Sequence, residues 1–521
     1  MKVKILSTSD VHGYVLPTNY SRRDDHQDYG WLKAATVIQE VQQRATSDEI
    51  VITIENGDWI QGSAFASYLV QQPADQQALF TQLTRSIHYD AGVLGNHEFN
   101  YGLDYLRNCE RQRNYPLVGA NIQGGVTQGI LDAPYTIVEE RGIKIAILGL
   151  TTAYVPIWER ADHLTGLDFT SALATAKRFV PQLRALADVV IVAYHGGFEA
   201  DLETGQPTER LTGENEGSQL LADVPGIDAL VTGHQHRQLA GVYQGIPTTQ
   251  PGEKGVAVGE ITLTLDHEKR VVDQSATLLT TATAKPDSTL AALVAPIQEK
   301  VETWLDQPVG QLTGKSLAVT DPMAARLCGH PYLQFINTVE MVAGQTDIAA
   351  TALFNDDVHG LGEQVSLRQL LNSYPYANTL VVERVTGAEL RAALERCASF
   401  FTVTDDGQVG VSPAFTTPKL ALYNYDIYSG IEYHFDLTQP VGQRVTRLVY
   451  HGQPVEATQT LAVAMNQYRG NGGGDYPMFS PDKVCREVNV DMAELIRQYF
   501  VAQPVVVGRP QTNFTVNLTA E

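Results

Sequence analysis

Eight side chains able to bind a metal or move a proton follow or close short apolar runs in this chain. Asp10 and His12 follow "VKILSTS", Asp58 follows "IVITIENG", and Asn96 and His97 follow "AGVLG". His195 closes "VVIVAYH", and His234 and His236 follow "DALVTG". Phosphoester hydrolysis by two divalent ions ~3.5–4 Å apart needs a bridging carboxylate, mixed His, Asp and Asn donors, and an open coordination position. Oxygen donors suit Mn and Mg, whereas imidazoles suit Zn, Fe and Co. Taken singly, a DxH, GD or GHxH step is an ordinary polar loop. Five of the 13 histidines nonetheless fall at these run ends, within the first 236 residues, so one shared site is the better reading. The alternate spacing of Asp10/His12 and His234/His236 would put both members of each pair on one side of an extended segment.

Such donors need strands to carry them. Runs of Val, Ile and Leu bounded by Gly, Asn and Asp suit strands buried on both faces. Helical patterns separate them, among them "LKAATVIQEVQQRA" and "ALATAKRFVPQLRALA". Alternating strand and helix predicts an α/β layered domain, with ligands bound beyond the carboxyl ends of the strands. After about residue 265 the pattern changes: a helix is expected near 288–304, then a Pro/Gly exit at "QPVG". A second patterned region begins at "DPMAARLCGHPYLQFINTVEMVAG", with Pro322 opening a helix. Two domains are expected, 1–315 and 322–521.

The 521 residues exceed one ordinary core. Hydrophobic residues at 43% and charged residues at 18% describe a globular chain. A formal charge of −22 excludes a nucleic-acid polymer as partner, because that affinity rests on Lys and Arg. It leaves room for a small anion if metals supply positive charge. The four cysteines form no CxxC pair and are expected as buried free thiols. No apolar run reaches the ~20 residues of a membrane span. "MKVKILSTSD" runs from Met1 straight into a strand pattern, which at face value predicts a cytoplasmic chain. Nothing in the sequence predicts a protein partner or a membrane.

The blocks "SDVHG", "NGDWIQGS", "GNHEFNYG", "AYHGG" and "TGHQH" resemble, in order, the five signatures of the calcineurin-like metallophosphoesterases. Over nearly its whole length the chain is similar to the bacterial 5′-nucleotidase and 2′,3′-cyclic-nucleotide 2′-phosphodiesterase/3′-nucleotidase family. The resemblance implies a four-layer αββα domain followed by a smaller α/β domain. It also implies two divalent ions, with Mn, Zn, Co, Fe and Mg all candidates. One would take Asp10, His12, Asp58 and His236; the other would take the shared Asp58 with Asn96, His195 and His234. His97, next to a ligand, would face the substrate to stabilise charge or protonate the leaving oxygen. Glu98 and Phe99 are expected to be structural. At Asn100 the family's 5′-nucleotidases commonly carry Asp, whereas "NHEFNYG" is typical of the cyclic-phosphodiesterase branch. An Asn can orient the imidazole of His97, but it cannot stabilise an imidazolium as a carboxylate does.

The second half resembles the family in "YNYDIYSGIEYHFDL" and "NQYRGNGGGDYPMF". The resemblance implies that Tyr425 and Tyr476 sandwich a nucleobase, with stacking of ~1–3 kcal/mol per base. Asn466 and Arg469 are candidates for polar substrate contacts, and Asn378 is a third. "TALFNDDVHG" at 351–360 stands where the family's 5′-nucleotidases carry a Gly-Gly-Ile-Arg type segment. The expected activity is hydrolysis of 2′,3′-cyclic nucleotides to 3′-nucleotides, then to nucleoside and phosphate. A 5′-nucleotidase or nucleotide-sugar hydrolase on the same site is the first alternative; a nucleotide sensor without catalysis is the second.

Overall fold

In the strand Ile143–Thr151, successive side chains point to opposite faces. Ile145 and Ile147 join Val3, Ile5, Ile50, Ile52, Ile191 and Val231 in one fully buried cluster. Ala146, Leu148 and Leu150 join a second cluster with Val190, Val192 and Leu230. Both faces of this strand are therefore dry, which explains its continuous apolar run. Burying each such side chain stabilises the fold by roughly 1.5–3 kcal/mol.

These strands come from a computed structural model that describes residues 1–518 except 210, 377, 404–406 and 418. The chain divides into two units, Met1–Glu302 and Thr303–Glu521. In the first unit, a five-stranded sheet runs in the order Val271–Thr280, Ala257–Leu265, Lys2–Thr8, Glu49–Glu55, Ala91–Gly92. A six-stranded sheet runs Gln238–Tyr243, Ile246–Pro251, Ala229–Thr232, Val189–His195, Ile143–Thr151, Tyr135–Glu140. The first buried cluster holds residues of both sheets and forms the layer between them. The second packs the six-stranded sheet against helices Ala172–Arg184 and Gly217–Asp223, through Ala176, Val180, Leu183 and Leu220. Ser171 caps the longer of these helices, its side chain accepting from Ala174 N at 3.0 Å. Helix Trp31–Arg44 buries Trp31, Leu32, Ala35 and Ile38 against the five-stranded sheet. This is the expected αββα layering.

Lys2–Thr8 pairs in parallel with Glu49–Glu55, and the central strands of the six-stranded sheet are parallel too: Lys2 lies opposite Glu49, and Thr151 opposite His195. The carboxyl ends of Lys2–Thr8 and Glu49–Glu55 therefore coincide, as do those of the central strands of the other sheet.

The second unit carries a five-stranded sheet in the order Asp426–Ser429, Ala349–Ala352, Thr460–Asn466, Thr379–Thr386, Val484–Asp491. Helices Pro331–Gly344 and Gly387–Ala398 contribute to its own core. The unit boundary falls earlier than the expected 315/322. The reason is strand Pro308–Gly314, which pairs with Gln364–Ser366 and Val505–Gly508 of the second unit. The helix expected from Pro322 is two helices, Pro322–Cys328 and Pro331–Gly344, split at Gly329, whose φ is 75°. Cys109 and Cys397 are buried free thiols as expected, but Cys328 and Cys485 are exposed. Among the described residues, no helix is long and apolar enough to cross a membrane.

Candidate metal centre

His195 closes its own strand, but the other strands end before their donors, and left-handed turns aim five of the seven. Asp10, His12, Asp58, His234 and His236 all have positive φ, between 51° and 69°. The extended spacing expected for Asp10/His12 and His234/His236 is thus replaced by turns in a region that side chains rarely adopt. Each such residue costs of order 1–3 kcal/mol unless its surroundings hold it. They do: Asp10 N donates to Gly57 O at 2.9 Å, His12 N to Asp58 O at 2.8 Å, and Gly13 N to Trp59 O at 2.7 Å. Glu98 ties the adjacent loops, accepting from Asp58 N and Gly95 N at 2.7 Å and from Trp59 N at 2.6 Å. Its expected structural role is therefore specific. Gly95 is required as well, since a methyl there would run into Asp58 Oδ1.

Six of the seven expected donors converge in the first unit as two groups, Asp10/His12/His236 and Asp58/His195/His234, and Asn96 adjoins the second. His12 Nε2 is 3.0 Å from His236 Nε2, and His236 Nε2 is 3.5 Å from Asp10 Oδ1. Asp58 Oδ2 lies 3.2 Å from His195 Nε2 and 3.9 Å from His12 Nε2, and so faces both groups. Asn96 Oδ1 is 2.9 Å from His234 Nδ1.

The opposite nitrogen of each imidazole is already engaged. His12 Nδ1 meets Gln61 O at 3.2 Å, and His195 Nδ1 meets Asn56 O at 2.6 Å. His234 Nε2 meets Glu214 Oε1 at 3.0 Å, and His236 Nδ1 meets Glu253 Oε2 at 3.2 Å. Anchoring one nitrogen fixes the tautomer and frees the other for a metal.

His195 Nε2 is buried and faces Asp58 Oδ2 at 3.2 Å. Burial opposes a charge on this ring, but the Asp58 and Asp10 carboxylates raise its pKa to about 10. The site calls for a cation, and a divalent ion would take the place of that proton. Burial lowers His12 to about 4, keeping it neutral as a ligand must be. Carboxylate, amide and imidazole donors in this arrangement fit two divalent ions.

His97 stands beside the donors: its N–H donates to Asp58 Oδ1 at 2.7 Å, and its ring lies 5.2 Å from that of His12. His97 Nδ1 is 2.7 Å from Asn100 Oδ1, the expected orienting contact. Sequence reasoning missed the buttressing carboxylates Glu214 and Glu253. It also missed Trp158, which stacks on His234 at 5.3 Å, and Glu159, which accepts from Asn100 Nδ2 at 2.7 Å. Their one signal was that "TTAYVPIWER" also follows an apolar run.

The four substrate contacts expected in the second unit are all buried. Tyr425 is 1% exposed, stacks on Phe400 at 4.7 Å and donates to Arg326 O at 3.0 Å. Tyr476 is fully buried and donates to Asn424 O at 2.8 Å, with the Arg469 guanidinium 3.9 Å above its ring. Arg469 pairs with Asp426 through Nε at 2.6 Å and Nη2 at 3.2 Å, each residue 1% exposed. Asn466 caps the short helix Gln467–Gly470, accepting from Arg469 N at 2.9 Å. These residues are part of the second unit's packed interior. Asn378 accepts from Met492 N through its backbone carbonyl at 2.9 Å.

Comparison with known proteins places both halves. The calcineurin-like phosphoesterase family matches residues 3–238, and the 5′-nucleotidase C-terminal domain matches residues 308–481. A Haemophilus influenzae protein named 2′,3′-cyclic-nucleotide 2′-phosphodiesterase/3′-nucleotidase is 27% identical, covering 90% of this chain and 80% of its own. Its namesake from Salmonella typhimurium is 28% identical, covering 90% and 81%. The crystal structure of a Staphylococcus aureus protein, described as a 5′-nucleotidase in complex with alpha-ketoglutarate, superposes with a TM-score of 0.91. It is 35% identical, covering 99% of this chain and 100% of that one. With both domains matched and this identity sustained from end to end, the chain belongs to the 5′-nucleotidase family of calcineurin-like phosphoesterases.

Proposed function

We propose that the chain hydrolyses nucleotide phosphoesters at the paired metal site. It opens 2′,3′-cyclic nucleotides to 3′-nucleotides and then cleaves these to nucleoside and phosphate. The observation that carries the reading is convergence: seven donors from five loops, each imidazole anchored on its far nitrogen, with His97 beside them. The names of the Haemophilus and Salmonella relatives support the cyclic substrate. So does Asn100, by its resemblance to that branch.

Two divalent ions at this site would supply Lewis acidity to the phosphoryl oxygens and lower the pKa of water. An imidazole-rich shell favours Mn, Co, Zn or Fe over Ca. The chain's own residues do the rest. Asp58 faces both donor groups and also fixes the loop of His97 through its amide. His97 Nδ1 is engaged by Asn100, so Nε2 is the nitrogen left for the substrate. There it stabilises charge on the leaving oxygen, which takes up a proton as the P–O bond breaks and water oxygen adds to phosphorus.

The test is turnover of 2′,3′-cyclic AMP, 3′-AMP and 5′-AMP by chelated protein to which single metals are returned. The cyclic substrate should be preferred, with Mn or Co restoring more activity than Ca. The description of the Staphylococcus aureus protein favours a second reading, and a preference for 5′-AMP would establish it. Full activity without metal would remove the mechanism.

A further inference from the structure

An asparagine amide has two ends of nearly equal shape, and its neighbours decide which end faces which way. Asn100 Nδ2 lies 2.7 Å from Glu159 Oε2, and Asn100 Oδ1 lies 2.7 Å from His97 Nδ1. Glu159 already acts as an acceptor on its other oxygen. Oε1 takes the backbone N–H of Arg160 at 2.8 Å and faces His163 Nδ1 at 2.8 Å. Its side chain is 7% exposed, so water does not substitute for these partners. Turning the Asn100 amide over would set its oxygen against a carboxylate oxygen at the same separation. The amide therefore gives its N–H to Glu159 and its carbonyl to His97. A carbonyl only accepts, so His97 Nδ1 carries the hydrogen and Nε2 is the nitrogen presented to the site.

We infer that Glu159 is a positioning residue for the reaction: acting through Asn100, it fixes the ring plane and tautomer of His97. Where the family's 5′-nucleotidases commonly carry a carboxylate at position 100, here the carboxylate lies one link further from His97, with a neutral amide between. The local fold supports the arrangement. Glu159 closes the short helix Val155–Trp158, and its N–H donates to Val155 O at 2.9 Å. Trp158, one residue earlier, lies on the His234 ring at 28°. One segment thus braces both the histidine expected to face substrate and a metal donor.

The inference rests on the phosphoesterase reading, and the test keeps the two apart. Glu159→Gln, Asn100→Asp and the double variant are assayed for kcat and KM on 2′,3′-cyclic AMP and on bis(p-nitrophenyl) phosphate, alongside metal content. Glu159→Gln sets an amide where three donors converge, and kcat should fall on the order of 10–100-fold, with metal retained. The loss should be larger on the nucleotide, whose ribose leaving oxygen needs more help than nitrophenolate. Asn100→Asp alone should also lose activity, because two carboxylates then face each other. The double variant restores one carboxylate on His97 and one amide behind it, and it should regain most of the loss. Rescue of this kind is not expected of a residue that only supports the fold. Additive losses in the double variant, a silent Glu159→Gln, or loss of metal in that variant would each overturn the inference. Histidine ring-nitrogen NMR supplies a readout independent of turnover. His97 should carry its hydrogen on Nδ1 in the parent and become mixed in Glu159→Gln. An inactive parent with that NMR pattern would sink the enzyme reading while leaving the positioning role standing.

Discussion

His97 and Asp58 are joined by one hydrogen bond, yet their loss should have different consequences. Asp58 faces both donor groups, so Asp58→Ala should lose metal and activity together. His97 touches the centre only through its backbone amide and a ring contact. His97→Ala should keep both metals and lose turnover by about 10²–10⁴-fold. Metal analysis by mass spectrometry decides the matter; an emptied site in His97→Ala would make it a ligand. At this scale the donors were legible because five histidines, with Asp and Asn beside them, recur at the ends of successive apolar runs. Their backbone conformation was not. A left-handed φ at Asp10 or His236 leaves no trace in residue type, unlike a glycine. Glu159 was equally hidden, since a carboxylate in "IWERADH" reads as a solvated charge until Asn100 is seen against it.

The strands and helices of the first unit could be read from the sequence because each apolar run is dry on both faces and ends at a polar turn. The second unit misled at the level of its loops. Aromatic residues beside glycines fit a ring clamp and a core equally well, and only burial separates the two. Here both rings are buried, and the core reading makes its own prediction. Arg469→Leu would leave Asp426 charged, buried and unpaired, a change that costs about 3–5 kcal/mol. Tyr476→Ala removes a fully buried ring and its hydrogen bond to Asn424, for about 3–5 kcal/mol. Both variants should therefore show their effect in urea unfolding midpoints, with KM for nucleotides little changed in the protein that remains folded. A Tyr476→Ala protein of parental stability with a strongly raised KM would reinstate the clamp.

Each unit has its own buried core, and the whole metal constellation lies in the first. Ligands that bind only the folded state stabilise it by mass action, about 2.7 kcal/mol at a free concentration of 100 times Kd. For a unit of this size that corresponds to a rise in melting temperature of roughly 4 °C. Calorimetry of the full chain should then resolve a metal-sensitive transition from a metal-insensitive one. Adding Mn should raise the transition of the first unit, chelator should lower it, and that of the second unit should stay in place. Asp58→Ala should abolish the shift without moving the second transition. The strained turns sharpen the expectation. A divalent ion would offset the Asp58 and Asp10 carboxylates that face the site, so stripping metal should loosen the loops that Glu98 ties together. Those loops should gain amide hydrogen exchange on chelation, while the amides of Ile145, Ile147 and Ile191 stay protected. If neither transition responds to any divalent ion, the centre is not a metal site. If both move together, the stability of the second unit depends on the first, and the separate cores do not melt as separate units.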